Sequence, residues 1–120
     1  MAFNFSANTG YLWKELPFLD RIRSAKKYGF HSVELHDEAH FEDLGDVKSL
    51  LKEVGLPGNS RNIRMGPSFG CAAIPDRQHI ARHDLREAAR LGEALGAKAL
   101  HSEAAFREQS RAARQTAAVN

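Results

Sequence analysis

A chain of 120 residues with 42% hydrophobic and 27% charged residues carries enough apolar material for one ordinary domain and lacks the composition of a disordered polymer. Its formal charge of +2 is too small, and its basic residues too scattered, for a nucleic-acid-binding stripe, and no apolar run approaches the roughly 20 residues of a membrane span. The single cysteine excludes an internal disulfide framework. Together with a start, "MAFNFSANTG", that has neither the basic nor the apolar region of a signal peptide, it sets the expectation of a cytoplasmic protein.

In chain order, Phe3 and Phe5 alternate with Asn4 and Ser6, which predicts a strand over residues 2–7 that stops at the turn signal Asn8-Thr9-Gly10. A loop with Tyr11, Leu12 and Trp13 leads to "LPFLDRIRSAKKYG". There Pro17 suits a first helical turn, Phe18, Leu19, Ile22 and Ala25 form an apolar face, and Gly29 is the stop. Ser32 to His36 reads as a second strand with Val33 and Leu35 on one side. Asp46 is then expected to cap a helix whose Val47, Leu50, Leu51 and Val54 face the core, with Gly55 and Pro57 ending it.

Residues 58–65, "GNSRNIRM", occupy the place of a third strand, although Gly58 and Arg61 are poor core residues for a buried parallel sheet. The loop "GPSFGCAAIP" follows. Asp76 is expected to cap a long helix with Ile80, Leu85, Ala88, Leu91 and Leu95 at helical spacing, Gly96 closes it, and "AKALHSE" predicts a fourth strand. The order β-α-β-α-β-α-β, with glycine at each helix-to-strand junction, requires a parallel sheet because every connection is a helical crossover. The Ala- and Arg-rich segment after residue 103 has no strand pattern and reads as a surface helix or a disordered tail.

Ligands of parallel α/β folds sit outside the C-terminal ends of the strands, so the candidate loops are residues 8–15, 36–45, 66–75 and 101 onward. The run His36-Asp37-Glu38 has three open readings: a solvated loop with capping carboxylates, a substrate-contacting His36, or a metal site. In an extended backbone consecutive side chains point to opposite sides, so at most two of the three are expected to face one ligand. Trp13 suits either a pocket wall or the cap of the core. His31 and His40 read as surface residues, and Cys71, with no strong base nearby in sequence, as a small buried residue instead of a nucleophile. Phosphate-loop, dinucleotide, nucleophile-elbow and Cys-x-x-Cys motifs are all missing.

The stretches "FSANTGYLWKELPFLDRIRSAKKYGFHSVELHDE", "NIRMGPSFGCAAIP" and "AARLGEALGAKAL" resemble the first half of hydroxypyruvate isomerases and their relatives among the xylose isomerase-like TIM barrels. "LHDE" is also similar to the "HDD" run of xylose isomerases, whose His contacts the sugar. The resemblance implies an α/β half TIM barrel over residues 1–103, with 104–120 as a tail outside the family pattern. It further implies aldose–ketose isomerisation in carbohydrate metabolism, such as hydroxypyruvate to tartronate semialdehyde, with a keto acid or sugar as partner. On this chain the substrate-binding candidates are His36, Trp13, Phe69 and Asn8.

In the family a divalent cation, Mg or Mn, polarises the oxygens and carboxylates move the proton, but those carboxylates lie mostly on strands five to eight. A closed barrel needs eight strands and about 250 residues. The expectation is therefore an isomerase-type chain inactive alone and binding no cation, with Asp37, Glu38, His101 and Glu103 as the remaining metal candidates. The alternative is a small self-associating interaction protein, pairing copies through open sheet edges and an uncovered barrel interior.

Overall fold

The structure, a computed structural model, describes residues 2–66 and 70–102. Strands β1 (Ser6–Asn8), β2 (Ser32–Leu35), β3 (Gly58–Asn62) and β4 (Ala99–His101) alternate with helices α1 (Phe18–Lys27), α2 (Leu44–Val54) and α3 (Gln78–Leu95). All neighbouring strands pair in parallel, and the sheet order is β1-β2-β3-β4. The expected β-α-β-α-β-α-β order is thus present. The segment after residue 103 and its tail reading, with Phe69 and Glu103, lie outside the described residues.

One face of the sheet carries the core. Ala7, Val33 and Leu35 pack with Phe18, Ile22 and Ala25 of α1 and Val47, Leu50 and Leu51 of α2 in one buried cluster. Burying a Val, Leu, Ile or Phe side chain contributes roughly 1.5–3 kcal/mol. The two helices present the apolar stripes read from their sequences. Gly29 (φ 82°), Gly55 (φ 70°) and Gly96 (φ 70°) take the left-handed conformation that ends each helix and turns the chain into the next strand.

Several local expectations fail for identifiable reasons. Phe3 and Phe5 alternate but remain 77% and 62% exposed, because β1 begins only at Ser6, where pairing with Ser32 starts. The second strand ends at Leu35, since the backbone turns into a 3-10 helix at Asp37–His40. The third ends at Asn62, short of Met65.

The cap of α2 is Asp43, whose Oδ1 accepts the Asp46 amide at 3.0 Å, so Asp46 lies in the first turn instead of capping it. Asp43→Ala is expected to lower stability by about 1 kcal/mol, measured by chemical denaturation, whereas Asp46→Ala changes it much less. Asp76 likewise caps nothing: it sits inside a 3-10 turn, Pro75–Arg77, that leads into α3. In α3, Ala88 and Leu91 are buried, but Ile80 and Leu85 are 38% and 47% exposed, because that face has no neighbouring element among the described residues.

Alternation along the strands sends Asn8, Glu34, Ser60 and Ala99 to the face opposite the helices, in one register row. One step beyond the Leu35↔Arg61 pairing, His36, Asn62 and His101 continue that face at the C-terminal ends of the strands. Closed parallel barrels fill this side with bulky branched residues. Here the row is polar except for Ala99.

Candidate functional site

His36 follows β2 and lies against the turn after β1. Its ring abuts Gly10 so closely that any Cβ on Gly10 would run into the imidazole. Tyr11 meets it edge to face, with ring centroids 5.2 Å apart. Gly10 itself is held by an Asx turn in which Asn8 Oδ1 accepts the Gly10 amide at 2.9 Å. Asn8 is therefore at the expected strand end, but its carbonyl oxygen already serves the turn. Sequence reading missed Gly10 and Tyr11, although a glycine two residues past a strand end is a recognisable mark of close approach.

Trp13 takes a different place. It stacks on Tyr28 (5.8 Å, 12°) and meets Phe30 edge to face at 6.0 Å, packed beside the core cluster. Of its two readings the structure takes the core cap, held in a left-handed backbone (φ 55°) uncommon for a non-glycine residue. Tyr11 is the aromatic side chain beside His36.

One oxygen of each carboxylate of the run braces a loop, while Glu38 Oε2 is buried without a hydrogen-bond partner. Arg21 Nη1 donates to Glu38 Oε1 and to Thr9 O, both at 3.0 Å, while its Nε donates to Leu16 O at 3.0 Å and its Nη2 to Lys14 O at 3.2 Å. One guanidinium thus ties the β1–α1 loop to the β2–α2 loop. Asp37 Oδ2 accepts the Met65 amide at 3.2 Å, which ties the same loop to the segment after β3. No hydrogen bond among the described residues engages the His36 ring or the Glu34 carboxylate, the two groups of the strand-end face left open to a ligand.

The 3-10 turn overturns the expectation that only two of His36, Asp37 and Glu38 can converge: one ligand atom from each lies within 4.8 Å of the others. The donor set nevertheless does not fit a divalent cation. Such ions take about six oxygens, whereas Glu38 already faces the Arg21 guanidinium, which repels a second cation, and one Asp37 oxygen faces an amide. His101 lies exposed at the end of β4, paired in register with Asn62.

His31 is exposed, as expected, its Nδ1 accepting the Phe5 amide at 3.1 Å. His40 is not a free surface residue: it is half buried, and its Nε2 lies 3.3 Å from Asn62 O. Burial, and then the Arg61 charge, lower its pKa from the ordinary 6.5. The unfolded chain binds the proton more readily, so stability is full above pH 6.5 and falls as pH drops below it. Denaturation curves between pH 7.5 and 5 are expected to show this loss, and His40→Gln to flatten it. Cys71 is buried, and burial with the Asp84 charge pushes its thiol up, which suits the expected inert residue.

No family model matches the chain. A 2-oxo-tetronate isomerase from Pectobacterium atrosepticum is 35% identical over 88 residues, covering 70% of this chain and 33% of that protein. A human protein described as "Putative hydroxypyruvate isomerase" is 33% identical over 106 residues, covering 81% of this chain and 36% of that protein. The crystal structure of an AP endonuclease, family 2, from Brucella melitensis superposes with a TM-score of 0.80 at 29% identity, over 88% of this chain and 42% of that one. The chain therefore spans about a third of the curated relatives it matches. No helix among the described residues is long and apolar enough to cross a membrane. The parallel four-strand sheet and the superposition agree on part of a xylose isomerase-like TIM barrel as the fold, and the curated relatives of the chain are described as 2-oxo-tetronate isomerase and "Putative hydroxypyruvate isomerase".

Proposed function

We propose that this chain supplies the substrate-contacting wall of an aldose–ketose isomerase site acting on a short 2-keto acid or ketose, with His36 as the contact. The observation that carries the reading is the placement of His36: seated between Gly10 and Tyr11, with no hydrogen bond to its ring among the described residues. An imidazole so placed can donate to or accept from a substrate oxygen. In such an isomerisation a proton leaves the hydroxyl-bearing carbon and one arrives at the former carbonyl carbon, while the hydroxyl proton passes to the former carbonyl oxygen, so no redox partner is consumed. Glu34, one row deeper on the same face, offers a carboxylate to which the hydroxyl can donate.

The same geometry supports a chain that binds without turning over. Moving the proton between carbons needs a base placed at both of them; Glu34 lies a row deeper, where it meets the hydroxyl, and Asp37 and Glu38 each have one oxygen tied, to Met65 and Arg21. The divalent cation of the family would supply carbonyl polarisation when bound, and Asp37 and Glu38, with one oxygen each already engaged, fall short of the oxygen set it takes. An assay of hydroxypyruvate against tartronate semialdehyde, with magnesium or manganese added, is expected to give no rate above the metal-only control. Turnover well above that control overturns the reading.

Self-association is the second reading, favoured by the exposed β4, which includes Leu100, and by the exposed Leu85 of α3. Light scattering is expected to show a concentration-dependent dimer. A monomer at all concentrations removes this reading and leaves the first untouched.

A further inference from the structure

Arg61 on β3 is 1% exposed, and its Nε, Nη1 and Nη2 have no hydrogen-bond partner. Its side chain lies on the helix face of the sheet, pairing in register with Leu35 and Leu100. It passes under α3 at Gly92, where an added Cβ would stand 3.7 Å from Arg61 Cδ. The guanidinium of arginine does not give up its proton in proteins, and a buried charge without a partner is among the most destabilising features a fold can carry. Something of opposite charge is called for.

Two further orphaned nitrogens belong to the same neighbourhood. His40 Nδ1 and Arg64 Nε are buried and unpartnered, and both arginines act on His40 through their charge. Arg64 is held over the Phe41 ring at 5.8 Å, which fixes it beside the 3-10 turn. The carboxylate that also acts on His40 is Asp37, and it is engaged by the Met65 amide. Asp84, buried on α3, makes no ion pair with either arginine within 4.0 Å.

We propose that Arg61, His40 and Arg64 form a site for a small oxyanion, a carboxylate or a phosphate, between β3, α3 and the 3-10 turn after β2. An oxyanion presents the planar or tetrahedral oxygens that a guanidinium fork recognises, and its negative charge favours the imidazolium form of His40, in which Nδ1–H donates to it while Nε2–H donates to Asn62 O. Arg61 is on the helix side of the sheet, whereas His36 and Glu34 are on the opposite face, so this arginine does not line the isomerase wall. Arg61 thereby acquires a reason to stand where a parallel strand ordinarily carries an apolar residue.

Thermal melts of the full chain in inorganic phosphate, in malonate and in sodium chloride at equal ionic strength test this. The native chain is expected to melt about 5 °C higher in at least one oxyanion than in chloride. A gain in phosphate alone identifies the tetrahedral class, and a gain in malonate alone the carboxylate class. Arg61→Met is expected to melt higher than the native chain in chloride, since a buried unpaired charge is gone, and to lose the oxyanion increment. His36→Asn keeps the increment, which separates this site from the isomerase reading.

A readout on the native chain alone does not depend on the variant's folding. The Arg61 side-chain Nε–H resonance is expected to shift saturably as phosphate or malonate is added. An equal melting point in all three salts with an unmoved Arg61 resonance overturns the proposal, as does an increment that survives in Arg61→Met.

Discussion

Arg21→Met lowers the stability of the chain by about 2–4 kcal/mol and loosens both loops around His36. The guanidinium donates to three backbone carbonyls and to Glu38, and methionine keeps the aliphatic bulk while removing every donor. The Glu38 side chain is 28% exposed, so solvent screens part of the ion pair, and most of the loss comes from the carbonyls of Thr9, Lys14 and Leu16. Urea denaturation gives the stability change. Hydrogen exchange localises it, with faster exchange expected in residues 9–16 and 36–41 and little change in α3. Arg21→Lys restores only a part, because a single ammonium cannot span acceptors spread along the loop.

Gly10→Ala carries the second large effect and reaches the site directly. The new methyl group occupies the space of the His36 imidazole, and either the ring leaves its seat beside Tyr11 or the turn held by Asn8 opens. Overpacking of this kind costs about 1–3 kcal/mol. Ligand contact at His36 is expected to fall at least tenfold, while Gly29→Ala, at a helix end with open space around it, costs only the strain of its left-handed backbone. Near-equal hydroxypyruvate affinity in Gly10→Ala and the native chain would show that the seat does not position His36.

How much of this was legible in the sequence depended on whether a signal was local. The helices announced themselves through Phe18, Ile22 and Ala25 and through Val47, Leu50 and Leu51, which bury as their spacing demands, and three glycines marked the ends because few other residues accept a positive φ. Strand one misled, because Phe3 and Phe5 alternate without a partner strand beside them. Period-2 patterning reports a face and not a pairing.

The site was half readable. His36 stood out as an imidazole at a strand end, but its seat depends on Gly10 across the sheet, a contact that spacing along the chain does not encode. The partners of Asp37 and Glu38 could not be read for the same reason. Their partners, Met65 and Arg21, are 28 and 17 residues away, and the 3-10 turn that brings the three side chains together breaks the extended geometry assumed for the run. Arg61 was visible as an anomaly within a strand, whereas the burial that makes it consequential appears only when α3 is laid over it.

Arg21 and Met65 each hold one oxygen of the Glu38 and Asp37 carboxylates, and His36 is the group proposed to meet a substrate without a cation. Histidine resonances followed by NMR, with hydroxypyruvate and magnesium added separately to the native chain, test it most directly. Hydroxypyruvate is expected to shift the His36 imidazole saturably, and magnesium to leave it and the Asp37 and Glu38 amides where they are. A His36 signal unmoved by hydroxypyruvate, or one that magnesium shifts together with Asp37 and Glu38, contradicts the account.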